Sequence, residues 1–125
     1  MLKYVNTPHA PAAIGPYSQA VIFNDTMYTS GQIPLDPSSG EIVGSNIEEQ
    51  AEQVMKNLEA ILRDQKAVFS DVIKTTCYLS DMSDFAAFNK VYSKYFIGKP
   101  ARSCVAVKEL PKKVLCEVEA VVALL

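Results

Sequence analysis

Three residues near the C-terminal end of the chain have side chains suited to chemistry on a small acid: Arg102, Cys104 and Glu117. A guanidinium is a planar fork that can hold a carboxylate by two parallel hydrogen bonds. A glutamate partly withdrawn from water can take a proton from a water molecule as a general base. The thiol of Cys104 adds a polarizable group between them in sequence. Strand alternation puts Arg102, Cys104, Ala106 and Lys108 on one face, opposite Ser103, Val105 and Val107. Pairing that strand with the last one would set Glu117 beside Arg102 and Cys104 on one mixed face. The same pattern also describes an ordinary cross-strand ion pair, so residue type and spacing leave both readings open.

These residues need a scaffold, and the periodicities supply one. Apolar positions Ile47, Ala51, Val54, Met55, Leu58, Ile61 and Leu62 follow one helical face between about Asn46 and Gln65. Asn46 can cap that helix, with Glu49 placed three residues on. A second stripe, Phe85, Phe88, Val91, Tyr92, Tyr95 and Phe96, predicts a helix from about Met82 to Phe96. Asp81 or Ser83 can start it, and Gly98 and Pro100 end it. Strands are expected at Ala20–Phe23, Met27–Gln32, Asp71–Leu79, Ser103–Lys108 and Val114–Leu124, with a short one at Lys3–Val5. Asn24 and Asp25 suit a tight hairpin between the first two.

In the last strand Val114, Cys116, Val118, Ala120, Val122 and Leu124 form a wholly apolar face. The other face carries Leu115, Glu117, Glu119, Val121 and Ala123. In the middle strand Ile73, Cys77 and Leu79 oppose Lys74, Thr76 and Tyr78. The expected fold is α+β, a mixed sheet with both helices on one face. Two helices cover one face of such a sheet and leave the other, which still holds apolar residues. That exposed patch points to packing against another copy.

The composition narrows the function classes. The 125 residues fit a single domain, 1–125, and 49% hydrophobic content with 21% charged residues excludes a disordered chain. A net charge of −2, with no basic stripe, argues against nucleic acid as a partner. No apolar run is long enough to span a membrane. The cysteines Cys77, Cys104 and Cys116 are widely spaced with no Cys-x-x-Cys, which reads as reduced thiols in a cytosolic, cytoplasmic protein. With His9 the one histidine, no zinc-type spacing is present and no metal site is expected.

Several blocks of the chain resemble a known family. They are Ala10-Pro11-Ala12-Ala13-Ile14-Gly15-Pro16-Tyr17-Ser18-Gln19-Ala20, Thr29-Ser30-Gly31-Gln32-Ile33-Pro34, Val72-Ile73-Lys74-Thr75-Thr76, Pro100-Ala101-Arg102-Ser103-Cys104-Val105, and Leu110-Pro111 followed by Glu117-Val118-Glu119-Ala120-Val121. In order and spacing they are similar to the RidA (YjgF, L-PSP-like) family of reactive intermediate deaminases, over nearly the whole chain. The resemblance implies a chorismate-mutase-like fold and a homotrimer whose sheets form a central barrel, with clefts between subunits. It implies hydrolysis of 2-imino and 2-enamino acids, such as 2-aminoacrylate and its relatives, to 2-keto acids and ammonia, without a cofactor.

Carried onto this sequence, the family's cleft would contain Tyr17, Ser30, Gly31, Asn89, Arg102, Cys104 and Glu117. Arg102 would bind the substrate carboxylate and Glu117 would position or activate water. Tyr17 would close the cleft of a neighbouring subunit, and Gly31 would let the backbone come close to substrate. Cys104 would be a wall residue or weak water ligand rather than a covalent nucleophile, since His9 lies far off in sequence. Two other readings use the same residues or labels. One is a non-catalytic regulatory protein that binds small 2-keto acids through Arg102. The other is an endoribonuclease or translation inhibitor, which the acidic balance and the single histidine do little to support.

Overall fold

The alternation of β6 (Cys116–Ala123) organises the core: Cys116, Val118, Ala120 and Val122 are buried while Glu117, Glu119, Val121 and Ala123 are partly exposed. A computed structural model describes residues 1–125. Its sheet contains β1 (Lys3–Val5), β2 (Ala20–Phe23), β3 (Thr26–Thr29), β4 (Val72–Leu79), β5 (Ala101–Ala106) and β6, in the order β1-β2-β3-β6-β4-β5. The β4–β5 pair is parallel and every other pair is antiparallel. The hairpin expected at Asn24-Asp25 joins β2 to β3, with Asn24 taking the left-handed φ of 54° that such a short turn needs.

Two helices pack on one face of the sheet, α1 (Ile47–Asp64) and α2 (Phe85–Tyr95). The first starts as its sequence predicts. Asn46 Oδ1 accepts from the Glu49 N–H at 2.9 Å, and Glu49 Oε1 accepts from the Ser45 N–H at 3.0 Å. The apolar stripe of α1 supplies Ala51, Val54, Met55, Leu58, Ile61 and Leu62 to a single core that also takes in Phe88, Val91 and Tyr92 of α2. The second helix begins three residues later than its periodicity suggests. Met82–Asp84 form a tighter 3-10 turn, closed by Asp81, whose side chain accepts from the Ser83 N–H at 2.8 Å.

Three local features differ from the alternation read off the sequence. Ile73 is exposed rather than part of the buried face, because the ladder slips between Val72 and Lys74; that irregularity shifts the parity by one, so Val72 and Thr75 are both buried. The third strand stops at Thr29, three residues short of Gln32. There its pairing with β2 ends, while contact with β6 resumes at one isolated bridge, Gln32 and Val118 exchanging backbone hydrogen bonds of 2.8 and 3.1 Å. The last strand begins at Cys116 because a 3-10 turn at Pro111–Lys113, with Lys112 and Lys113 both at positive φ, occupies the preceding residues.

The fourth difference bears on chemistry. The last two strands are not neighbours: β4 lies between them, parallel to β5 and antiparallel to β6. Register partners share a face. Thr75 is level with both Arg102 and Ala120, and Cys77 with both Cys104 and Val118, so Arg102 and Cys104 belong to the helix-covered side. Tyr78 is level with Val105 and Glu117, which lie on the open side. The expected shared face for Arg102, Cys104 and Glu117 is therefore incorrect. Sequence adjacency of the two strands suggested a pairing that the parallel crossover through α2 replaces.

The capping of α1 gives a direct test of the local reading. Asn46→Ala should lower stability by about 1 kcal/mol, since one donor of the first turn loses its acceptor; a shift of the urea midpoint at unchanged slope would measure it.

Candidate active site

Glu117 leaves the open side of β6 and points over the backbone of Gly31. A methyl group built on Gly31 would fall 1.9 Å from Glu117 Oε2, so only glycine leaves room for the carboxylate. Burial raises the Glu117 carboxyl above the usual range, and the neighbouring charge of Glu119 raises it further. Glu119 itself accepts from Tyr78 Oη at 3.4 Å. A carboxylate held this way is a stronger proton acceptor than an exposed one.

Around Glu117 lies a cavity of about 520 Å³ that Tyr17, Ser30, Gly31, Ile33 and Pro111 help to line. Ser30 is fixed there: its hydroxyl donates to the Ser18 carbonyl at 2.6 Å and its N–H to the Gln19 carbonyl at 2.8 Å. The hydroxyl keeps its lone pairs free to accept. Tyr17 is 53% exposed, so its ring sits at the rim.

Gln19 builds the wall of this cavity, and the sequence reading assigned it no role. It is buried, its Oε1 accepts from the Thr7 N–H at 2.7 Å, and its Nε2 donates to the carbonyls of Thr7 (3.0 Å), Ala10 (3.3 Å) and Pro11 (3.0 Å). It thereby holds the Pro-rich segment that carries Ile14 and Tyr17. The available signal was a glutamine directly before an apolar strand, a polar group that must find internal partners if buried.

Arg102 stands elsewhere, on the edge strand β5 and beneath α2. Its Nη1 donates to Asn89 Oδ1 at 2.7 Å, and its Cζ lies 4.7 Å from the centre of the Tyr92 ring and 5.5 Å from that of Phe85. No carboxylate is paired with it: the ion pairs of the chain are Arg63–Glu59, Lys90–Glu48 and Lys94–Glu52. The cross-strand ion pair left open by the sequence is thus not formed. Arg102, Asn89, Tyr92 and Lys99 help to line a second cavity of about 420 Å³.

Cys104 lies on the Arg102 side, level with Cys77. Burial raises its thiol pKa, with the Arg102 charge acting in the opposite direction. Burial pushes the Cys77 thiol up further, to about 12. Both favour the protonated thiol at neutral pH, which does not suit a nucleophile.

The predicted residues therefore fall into two sets. Tyr17, Ser30, Gly31 and Glu117 come together in one cavity; Asn89 and Arg102 come together in the other, with Cys104 on the same side of the sheet. The guanidinium and the glutamate lie on opposite sides of the sheet.

Two outcomes check the Glu117 environment. Glu119→Gln removes a like charge, so the Glu117 titration midpoint should move down toward the ordinary carboxylate range, as followed by carboxyl-carbon NMR. Gly31→Ala should displace the flexible Glu117 carboxylate rather than the backbone. The same NMR signal should shift while the melting temperature changes by only a few degrees, equivalent to about 1 kcal/mol.

Residues 7–124 match the family described as Endoribonuclease L-PSP. AldR of Lactococcus lactis, named as a candidate regulator, is 55% identical over 121 residues, spanning 96% of each chain. A mouse protein named 2-iminobutanoate/2-iminopropanoate deaminase is 48% identical over 120 residues, 95% of this chain and 89% of the mouse protein. The crystal structure of E. coli TdcF with bound serine superposes with a TM-score of 0.91 at 41% identity, covering 97% of this chain and 98% of that one. Family match, overall identity and fold agree: the chain belongs to the L-PSP family, the RidA (YjgF) family that its motifs resemble.

Proposed function

We propose that this protein hydrolyses 2-imino acids to 2-keto acids and ammonia, in a cleft formed between copies of the chain. The observation that carries the reading is the pair of half-sites. One has an arginine with no carboxylate partner, and the other has a half-buried glutamate poised over a glycine. The mouse relative's name supports the reaction class, and the amino acid bound to TdcF supports a small carboxylate as ligand.

The open side of the sheet supports assembly. Tyr4, Phe23, Tyr28 and Val105 are each at least 46% exposed in the single chain, an apolar surface of the kind that marks contact between subunits. A homotrimer, with Arg102 and Asn89 of one copy facing Tyr17, Ser30, Gly31 and Glu117 of the next, would unite the two halves.

In the proposed reaction Arg102 binds the substrate carboxylate, with Asn89 fixing the guanidinium. Water beside Glu117 attacks the carbon of the protonated imine, the iminium form, and gives up a proton to the carboxylate. Protonated Glu117 returns that proton to the nitrogen of the tetrahedral intermediate, the C–N bond breaks, and ammonia leaves as the hydroxyl proton is lost to solvent and the C=O bond forms. The iminium carbon is already electrophilic, so no covalent enzyme intermediate is needed. This agrees with the raised thiol pKa of Cys104, which acts as a wall residue.

A regulatory role through ligand binding alone is the second reading, favoured by the name of AldR. It shares Arg102 and differs at Glu117. The family's endoribonuclease description is not carried over, because a net charge of −2 and a single histidine suit RNA cleavage poorly.

The experiment generates 2-iminobutanoate with an amino-acid oxidase and times keto-acid release. Arg102→Ala should lower kcat/KM by about a hundredfold. Glu117→Gln should lower kcat by about a hundred- to ten-thousandfold while binding of the 2-keto acid persists. A pure binder would show no acceleration even as the wild type. The raised Glu117 pKa sets the pH profile: the base is lost as pH falls through that value, so the acid limb should lie above the ordinary carboxylate range. Refolding Arg102→Ala and Glu117→Gln chains together at equal amounts should recover about one quarter of wild-type activity if each cleft draws on two copies of a cyclic assembly. No recovery would rule out sharing between copies.

A further inference from the structure

We propose that Phe85 and Tyr92 form an aromatic cradle that positions Arg102 for the substrate carboxylate, an inference that rests on the proposed function of Arg102. An arginine on an edge strand with no ion-pair partner would ordinarily sample many rotamers, and ordering it would weaken ligand binding. Here three residues of α2 hold it. Phe85, Asn89 and Tyr92 recur at helical spacing and so share one face of α2. The two rings lie 5.5 and 4.7 Å from the guanidinium carbon, within the range of a cation–π contact, and the amide oxygen of Asn89 takes one N–H. The remaining guanidinium donors are left for a ligand.

The Tyr92 ring is itself fixed. It is 8% exposed, its Oη lies 2.7 Å from Oγ1 of the fully buried Thr75, and it stacks on Phe96 at 4.4 Å between centroids. Thr75 is the β4 residue level with Arg102 in the parallel ladder. The strand beside Arg102 therefore anchors the ring on which Arg102 lies. Tyr92 and Phe85 are positioning residues in this scheme, acting through Arg102 and not on the reacting atoms.

A purely structural role for Tyr92 predicts a different result, because the ring also packs in the core. The test measures KM, kcat and melting temperature of the full-length protein with 2-iminobutanoate. Tyr92→Leu, which removes the ring, should raise KM about tenfold with kcat within about twofold of wild type, the pattern for loss of ground-state and transition-state binding alike. Tyr92→Phe keeps the ring and loses the Thr75 bond. It should bring KM back to within about threefold of wild type while the melting temperature stays lowered. Phe85→Leu, at a less buried position, should raise KM about threefold with little change in melting temperature, and carries the test if Tyr92→Leu does not fold. In an Arg102→Ala background neither leucine substitution should raise KM further.

KM that follows melting temperature across the series, or that rises equally without Arg102, would overturn the cradle. Unchanged kinetics in Arg102→Ala would instead remove the assigned role of Arg102. Impaired Arg102→Ala with both leucine variants at wild-type KM would remove only the cradle.

Discussion

A pleated strand sends each side chain to one side of its sheet, and hydrogen-bonded neighbours must agree on which side that is. This parity is the constraint on which the molecule depends. Strand β4 transmits it in both directions, being paired along its length with β5 and β6. The row through Thr75 joins Arg102 and Ala120 under the helices, whereas the row through Tyr78 joins Val105 and Glu117 on the open side. No side-chain rotation undoes that separation. The arginine faces a helix that supplies amide and aromatic partners, and the glutamate faces a loop that supplies a glycine.

The two environments differ in what they do to charge. Arg102 lies among π faces and an amide oxygen, none of which carries a negative charge, so its own charge stays uncompensated. Glu117 is partly desolvated, and Glu119 lies two residues along the same face. Each half is thus incomplete in the sense that a bound acid and a bound water would complete it. The thiols of Cys77 and Cys104 behave as apolar filling under α2, with burial holding them protonated.

Much of this was legible from sequence where the signal is local. The apolar face of β6, the stripe and Asn46 cap of α1, and the turn at Asn24-Asp25 follow from short-range periodicity and capping chemistry, and all are present. The motif blocks also pointed to the family to which the chain belongs. Strand adjacency is not local. Arg102 and Glu117 are fifteen positions apart, and nothing between them records that β4 inserts between their strands. Ile73 was misplaced for a related reason: one irregular step in the ladder inverts the parity of what precedes it, and hydrophobicity alone cannot reveal the step. The division of the candidate site residues into two cavities followed only once the ladder was known.

The Gln19 side chain has a consequence for motion. One buried amide closes the contacts of Thr7, Ala10 and Pro11, the first half of the Pro-rich segment. Such a latch does not release by fraying one contact at a time. Withdrawing the amide frees three carbonyls and one N–H together, so these four contacts are lost as one cooperative unit. Asparagine, one methylene shorter, lacks the reach to span the same partners. A single Gln19 rotamer thus ties the start of the segment, Thr7 to Pro11, to the residue that leads into β2.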